Sequence, residues 1–497
     1  MAEEPEANLG KQTARGLSWN LLGLVVTNVL RLITIPVLGR LLAPSEFGLV
    51  AAAMTVIAFA MFLKDAGVGT AIVQRKVLSD QHVEAAFSFS VLFGLVLATV
   101  LVVAAPLVAN FYDLPHLTSM VQVLSLMFVM RGVFTVPMAV ARRRMRFRAL
   151  ALIDLGAFTI GSATAIACAA SGVGPWSLVV GYLVESALAT IFLVVLQPMR
   201  YRIVPAREPL RDLVAYGTGH TLGEIAGYFA YQGDHIVVGN QLGVHLLGLY
   251  TRAIDLMRYP SVAFSNVAGA VLFSAFSKIQ DDRERLGRVY RRSIFGTSVF
   301  VLPTSAALAI LAPELVRLLL GERWTGMVLA FQILAISMLP RTTFKIGATI
   351  ARAAGDVFSV AAATAFYGAT VVGGSLYAVQ WGIEGVAAAT AIAVYFNFFL
   401  LSYLGLRRTN LSWGGFFAAH VEPLFVTALV AGAVYPSALW LRAEALPGPV
   451  VILISSVAGL AAALLALIAG VIRRQPDWLW LYGGACSRLR FLPRIAP

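Results

Sequence analysis

Long apolar runs separated by short polar or basic stretches fill the chain from residue 17 onward. They lie at 17–38, 47–64, 86–109, 117–139, 149–170 and 176–197, and again at 213–238, 246–272, 293–312, 325–346, 357–379 and 384–405. Two more follow at 416–440 and 449–472. A helix needs about 20 mostly apolar residues to cross a bilayer, and these runs meet that length. The pattern predicts an all-α polytopic membrane protein of about 14 transmembrane helices. Its expected parts are an N-terminal stretch 1–16, a six-helix lobe 17–197, a basic linker 198–212, a second six-helix lobe 213–405, an added helix pair 416–472 and a tail 473–497.

Composition sharpens this picture. The 497 residues are 59% apolar and only 13% charged, with a mean hydropathy of +0.81, which excludes an ordinary soluble fold. The net charge of +13 would suggest nucleic acid in a soluble chain. Here 30 of the 38 Lys and Arg fall in alternate connecting segments once the N-terminus is taken as cytoplasmic, against 4 in the opposite loops. Basic flanks stay on the cytoplasmic side, so the charge is an orientation signal and both ends are expected in the cytoplasm, with no nucleic-acid partner. The cluster Arg142, Arg143, Arg144, Arg146 and Arg148 is accordingly read as juxtamembrane. Cys168 and Cys486 are too few for a disulfide framework or a thiolate metal site. The opening Met1–Gly16 is read as retained, because the apolar run behind it is too long for a signal peptide. No phosphate-binding loop, zinc motif or nucleophile elbow occurs, so no cofactor, metal or covalent catalysis is expected.

An internal repeat runs through the two halves. Gly39, Leu42, Gly48 and Leu49 match Gly239, Leu242, Gly248 and Leu249 at an offset of 200. Val123 to Arg131 then matches Ile333 to Arg341, and Gly172 matches Gly382, both at 210. Six helices per half is an even number, so both halves enter from the same side as parallel repeats around a central cleft.

Ionisable groups inside spans are the best functional clues, since each costs at least about 2.5–3.5 kcal/mol at mid-bilayer unless it faces water or a partner. Arg31 lies in the first run on a face shared with Asn20, Thr27 and Thr34. In the seventh, His220, Glu224, Tyr228, Tyr231 and His235 recur at helical spacing, with Asp234 beside them. Two such stripes suggest a hydrated cleft. Arg252, Asp255 and Arg258 follow at intervals of three, so the aspartate can neutralise one arginine and leave the other in surplus. Candidate residues for binding an anionic, polar substrate are Arg31, Arg252, Arg258, Arg131, Asn20, Tyr228 and Tyr231. Candidate ion-coupling groups are Glu224, Asp234, His235 and Asp255. Arg341 and Lys345 sit near an expected cytoplasmic end, where an orientation role fits, while Asp154 and Glu185 suit either a helix contact or the cleft. Pro36, Pro137, Pro260, Pro303 and Pro340 are expected to bend their helices.

The stretches Gly39-Arg-Leu-Leu-Ala-Pro-Ser-Glu-Phe-Gly-Leu-Val50 and Asp65-Ala-Gly-Val-Gly-Thr-Ala-Ile-Val-Gln74 resemble the first-to-second-helix signature of polysaccharide transporters. These are the Wzx-type oligosaccharide flippases of the multidrug/oligosaccharidyl-lipid/polysaccharide exporter superfamily. The resemblance implies alternating access that carries undecaprenyl-pyrophosphate-linked oligosaccharide across a bacterial inner membrane, for exopolysaccharide, capsule or O-antigen synthesis. It implies a transporter and not an enzyme, with membrane lipids, a polysaccharide polymerase and export machinery as surroundings. A drug/cation antiporter of the same superfamily is the alternative, although its cavity should be acidic or aromatic. A polysaccharide polymerase or acyltransferase is the alternative of another class, and an inert scaffold a third. Short outer loops and the costly polar stripes argue against these last two.

Overall fold

The computed structural model describes residues 4–64, 69, 72–73, 78–199, 207–279, 282–472 and 477–479. No strand occurs among them. Among the described residues, eleven helical stretches are long and apolar enough to cross a membrane. The chain forms two compact units, Met1–Thr251 with Val371–Val379, and Arg252–Thr370 with Gln380–Pro497.

The first unit begins with α1 (Glu4–Leu41), α2 (Pro44–Lys64), α3 (Asp80–Tyr112), α4 (Leu117–Arg143), α5 (Phe147–Ala170) and α6 (Trp176–Leu196). Helix α5 packs between α1 and α6, and α4 packs on α2, α3 and α6. The arginine-rich turn between α4 and α5 fastens neighbouring segments. Arg143 Nη1 donates to the Ile72 carbonyl at 2.9 Å, Arg146 Nη1 to that of Leu196 at 3.2 Å, and the Arg148 guanidinium lies 5.0 Å from the Trp19 ring centre.

Helix α7 (Arg207–Lys278) holds the predicted runs 213–238 and 246–272 on either side of a break at Gly243. Gly243 adopts φ 80° and ψ 175°, a conformation open essentially to glycine alone. The stretch from 200 to 206 of the expected linker lies outside the described residues.

Repeat-related positions meet in this unit. A Cβ on Gly48 would stand 1.7 Å from the Val244 carbonyl oxygen, and one on Gly248 would stand 1.9 Å from that of Pro44. Both contacts map onto each other through the offset of 200, so the backbones can approach this closely only because each motif carries a glycine at this position. Gly172 and Gly382, paired in sequence, also share a positive φ, at 79° and 72°.

The second unit continues with α8 (Arg283–Ile310), α9 (Ala312–Leu319), a 3-10 turn (Glu322–Met327), α10 (Val328–Ile336), α11 (Met338–Ala353), α12 (Val357–Ala378), α13 (Gly382–Leu406), α14 (Trp413–Ala443) and α15 (Gly448–Ile472). Residues Val371–Val379, at the end of α12, cluster with the first unit. Helix α8 packs on α10, α11 and α14, while α13 packs on α10 and α11. The expected span 325–346 is therefore two helices that meet at Ser337 and continue to Ala353. Pro340 has no N–H to offer the carbonyl four residues back. That carbonyl, of Ile336, instead accepts from the Tyr395 hydroxyl of α13 at 3.1 Å. Arg442 of α14 grips Glu314 of α9 with two nitrogens at 2.7 and 2.8 Å. Beyond α15, Asp477 pairs with Arg291 at 2.7 Å and the buried Trp478 indole donates to Glu422.

Candidate functional site

In the second unit α7 carries Arg252, Asp255 and Arg258 on successive turns. Asp255 Oδ2 takes Arg252 Nη1 at 2.9 Å, which leaves Arg258 as the surplus cation that the spacing suggested. Its side chain is exposed, and no described carboxylate lies within 4.0 Å of it. Arg341 and Lys345, one turn apart on α11, stand close enough that Lys345 lies in the repulsive field of both Arg341 and Arg258. Neither has an ion pair among the described residues. The Nε and Nη2 of Arg341 are buried with no hydrogen-bond partner. None of the three has an ion-paired acid among the described residues, and Arg341 and Lys345 lie in a stretch long and apolar enough to cross a membrane.

Sequence reasoning placed Arg341 and Lys345 near a helix end and read them as orientation signals. The helix α11 continues to Ala353, eight residues beyond Lys345 or about 12 Å of rise, so the helix itself does not end at these two groups. Their spacing of four was the available signal, since it puts both on one face. The cluster is made only of donors. Guanidinium groups present forks that match phosphate oxygens in pairs, and an ammonium adds a compact charge.

Arg31 and Arg131, in the first unit, have acidic neighbours that the sequence did not reveal. The guanidinium of Arg31 is exposed and lies 5.3 Å from the Phe158 ring centre, and that of Arg131 lies 5.3 Å from the Phe134 ring centre. Both act electrostatically on Glu185 of α6, and Arg131 acts on Asp154 of α5. Arg31 is therefore not an isolated deep cation, as the absence of a nearby acid in its own helix implied.

The predicted polar stripe of α7 does not form one wet face. Tyr228 is buried and its hydroxyl donates to the Thr55 carbonyl at 2.9 Å, so it fastens α7 to α2. Tyr231 is exposed. Asp234 and His235 are buried, with Asp234 Oδ1 2.9 Å from both His235 Nδ1 and its backbone nitrogen. Asp234 Oδ2 accepts from the Tyr250 hydroxyl at 2.9 Å, which ties the two limbs of α7 across the Gly243 break. Helical spacing alone does not tell a hydrated face from one that packs on a neighbour. The side chains of Asn20, His220 and Glu224 lie outside the described residues. No group of three or more metal-ligating side chains occurs among the described residues.

Many helices long and apolar enough to cross a membrane define the class, a polytopic membrane protein. The chain belongs to the polysaccharide biosynthesis protein family, whose profile matches residues 37–329. It is 27% identical over 337 residues to the succinoglycan biosynthesis transport protein ExoT of Rhizobium meliloti (strain 1021), covering 67% of this chain and 68% of that one. It is 26% identical over 376 residues to the lipopolysaccharide biosynthesis protein WzxC of Escherichia coli (strain K12), covering 74% and 76%. Among solved structures, the lipid II flippase MurJ in an inward closed conformation matches with a TM-score of 0.75 at 14% identity, over 91% of this chain and 98% of that one. An inward-facing multidrug resistance MATE family transporter matches with a TM-score of 0.64 at 16% identity, over 77% and 94%. At these identities the two structures establish a shared transporter fold.

Proposed function

We propose that this protein is a flippase that moves a lipid-linked oligosaccharide, joined to its polyprenyl carrier through pyrophosphate, from the inner to the outer leaflet of a bacterial inner membrane. The observation that carries this reading is the Arg258, Arg341 and Lys345 cluster, three donor groups with no paired carboxylate among the described residues. A pyrophosphate supplies the missing negative charge and enough acceptor oxygens for all three. Relatives named for succinoglycan transport and lipopolysaccharide biosynthesis support the same substrate class. Both termini are cytoplasmic in this reading, following the basic flanks. Alternating access then carries the headgroup across while the lipid tail stays in the bilayer. An inside-negative potential favours outward movement of negative charge by about 2.3 kcal/mol per elementary charge per 100 mV, so the membrane potential can drive the step. Asp234 and His235 stay candidates for ion coupling, as buried groups at the α7 break. A drug/cation antiporter fits less well, because three unpaired cations repel a cationic drug.

Translocation in vesicles tests the proposal. The lipid-linked oligosaccharide extracted from a strain lacking this protein should become accessible to an external glycosidase in proteoliposomes at least about tenfold faster than in protein-free vesicles. Equal rates would reject the flippase reading, and chain extension or acylation of that lipid without translocation would favour an enzyme.

A further inference from the structure

Four charged side chains gather in the spans of the first unit: Arg31 of α1, Arg131 of α4, Asp154 of α5 and Glu185 of α6. Glu185 lies in the attractive field of both arginines and the repulsive field of Asp154, which itself feels Arg131. Close packing fixes the level of Glu185 against α5. A Cβ on Gly161 of α5 would stand 2.8 Å from the Cβ of Glu185, so α5 and α6 are pressed together there. Phe158, one turn before Gly161 level, carries the Arg31 guanidinium at 5.3 Å, and Asp154 precedes Phe158 by four residues on the same face.

Two cations and two carboxylates balance in formal charge, yet none of the four makes an ion pair within 4.0 Å or a side-chain hydrogen bond among the described residues. Arg131 Nε is buried with no partner, while Arg31 and Asp154 are exposed. Held apart, the four offer two kinds of unused capacity, since guanidinium groups only donate and ionised carboxylates only accept. A bare phosphate is repelled by the carboxylates, and a cation by the arginines. A sugar ring satisfies both, because each hydroxyl donates and accepts.

We propose that Arg31, Arg131, Asp154 and Glu185 form a carbohydrate subsite that binds hydroxyl groups of the oligosaccharide headgroup. The inference rests on the flippase reading and assigns the mixed set of the first unit to sugar hydroxyls. Asp154 and Glu185 become specificity residues, and Arg31 a sugar ligand instead of a phosphate ligand.

Calorimetric binding to the full chain in lipid nanodiscs separates the two ideas. One probe is the reducing oligosaccharide released by mild acid from the carrier lipid of a strain lacking this protein, and the other is undecaprenyl pyrophosphate. Asp154→Asn and Glu185→Gln should each weaken the oligosaccharide at least about tenfold and change undecaprenyl pyrophosphate by less than about twofold, with Glu185→Asp losing less than Glu185→Gln. Undiminished oligosaccharide affinity in both variants, no oligosaccharide binding by the unaltered chain, or equal loss of both probes in every variant would overturn the subsite. Oligosaccharide binding that follows this pattern while undecaprenyl pyrophosphate fails to bind the unaltered chain would uphold the subsite and defeat the flippase reading.

Discussion

Single side chains changed role most between sequence and structure. Tyr228 was legible as polar and correctly spaced, but its hydroxyl is consumed by the Thr55 carbonyl, a partner 173 positions away that no local pattern contains. Arg258 was legible as surplus charge because Asp255 could satisfy only one neighbour, and it does so for Arg252. Its companions Arg341 and Lys345 were not, because their helix outruns its apolar run. Outside the spans, Arg408 grips Asp356 with two nitrogens and holds its carboxyl below the usual carboxylate range. A carboxyl lowered in the folded state stabilises above the unfolded value of about 3.9, and that stabilisation disappears as pH falls through the lower folded value. Both side chains are partly exposed, so the pair contributes about 1 kcal/mol or less. Thermal unfolding of Asp356→Asn and the unaltered chain should therefore differ by a constant small gap above about pH 5 that closes below about pH 4. A gap that widens with acid would contradict the pairing.

Helices were the most legible feature, because a 20-residue apolar run leaves the chain few other structures in a bilayer. Their interruptions were legible only in part. Pro340 announced a bend, but the break falls at Ser337, where the freed Ile336 carbonyl finds Tyr395. Gly243 gave no stronger sign than many other glycines, yet it alone lets α7 turn as it does. The offset of 200 fared better, since it led from Gly48 and Gly248 in sequence to two matched backbone contacts. Gly48→Ala puts a methyl group 1.7 Å from the Val244 carbonyl oxygen, and backbone cannot move aside cheaply. The variant should lose about 3 kcal/mol or more of stability, read as a lower unfolding temperature in detergent, and Gly248→Ala should do the same. Gly432→Ala, where nothing lies within 4 Å, is the control and should be unchanged. If all three behave alike, the repeat contact does not hold the first unit together.

Composition alone decided the broad class long before any site was visible: so apolar a chain is a polytopic membrane protein and a poor candidate for soluble chemistry, while the transporter reading came from the resemblance of 39–50 and 65–74. What neither could decide is where charge is unmatched, because that depends on which helices meet. In the second unit Lys345 feels two arginines and none of the three is ion-paired among the described residues, whereas in the first the two arginines act on carboxylates of other helices without closing onto them. The central claim is that the unmatched set captures the phosphate end of a lipid carrier. Binding of undecaprenyl pyrophosphate and of neutral undecaprenol to the purified chain, with and without Arg341→Gln and Lys345→Gln combined, tests it most directly. The double variant should bind the pyrophosphate lipid at least about tenfold more weakly and leave undecaprenol unchanged. Equal affinity of the unaltered chain for both lipids, or an equal loss for both in the variant, would contradict the claim.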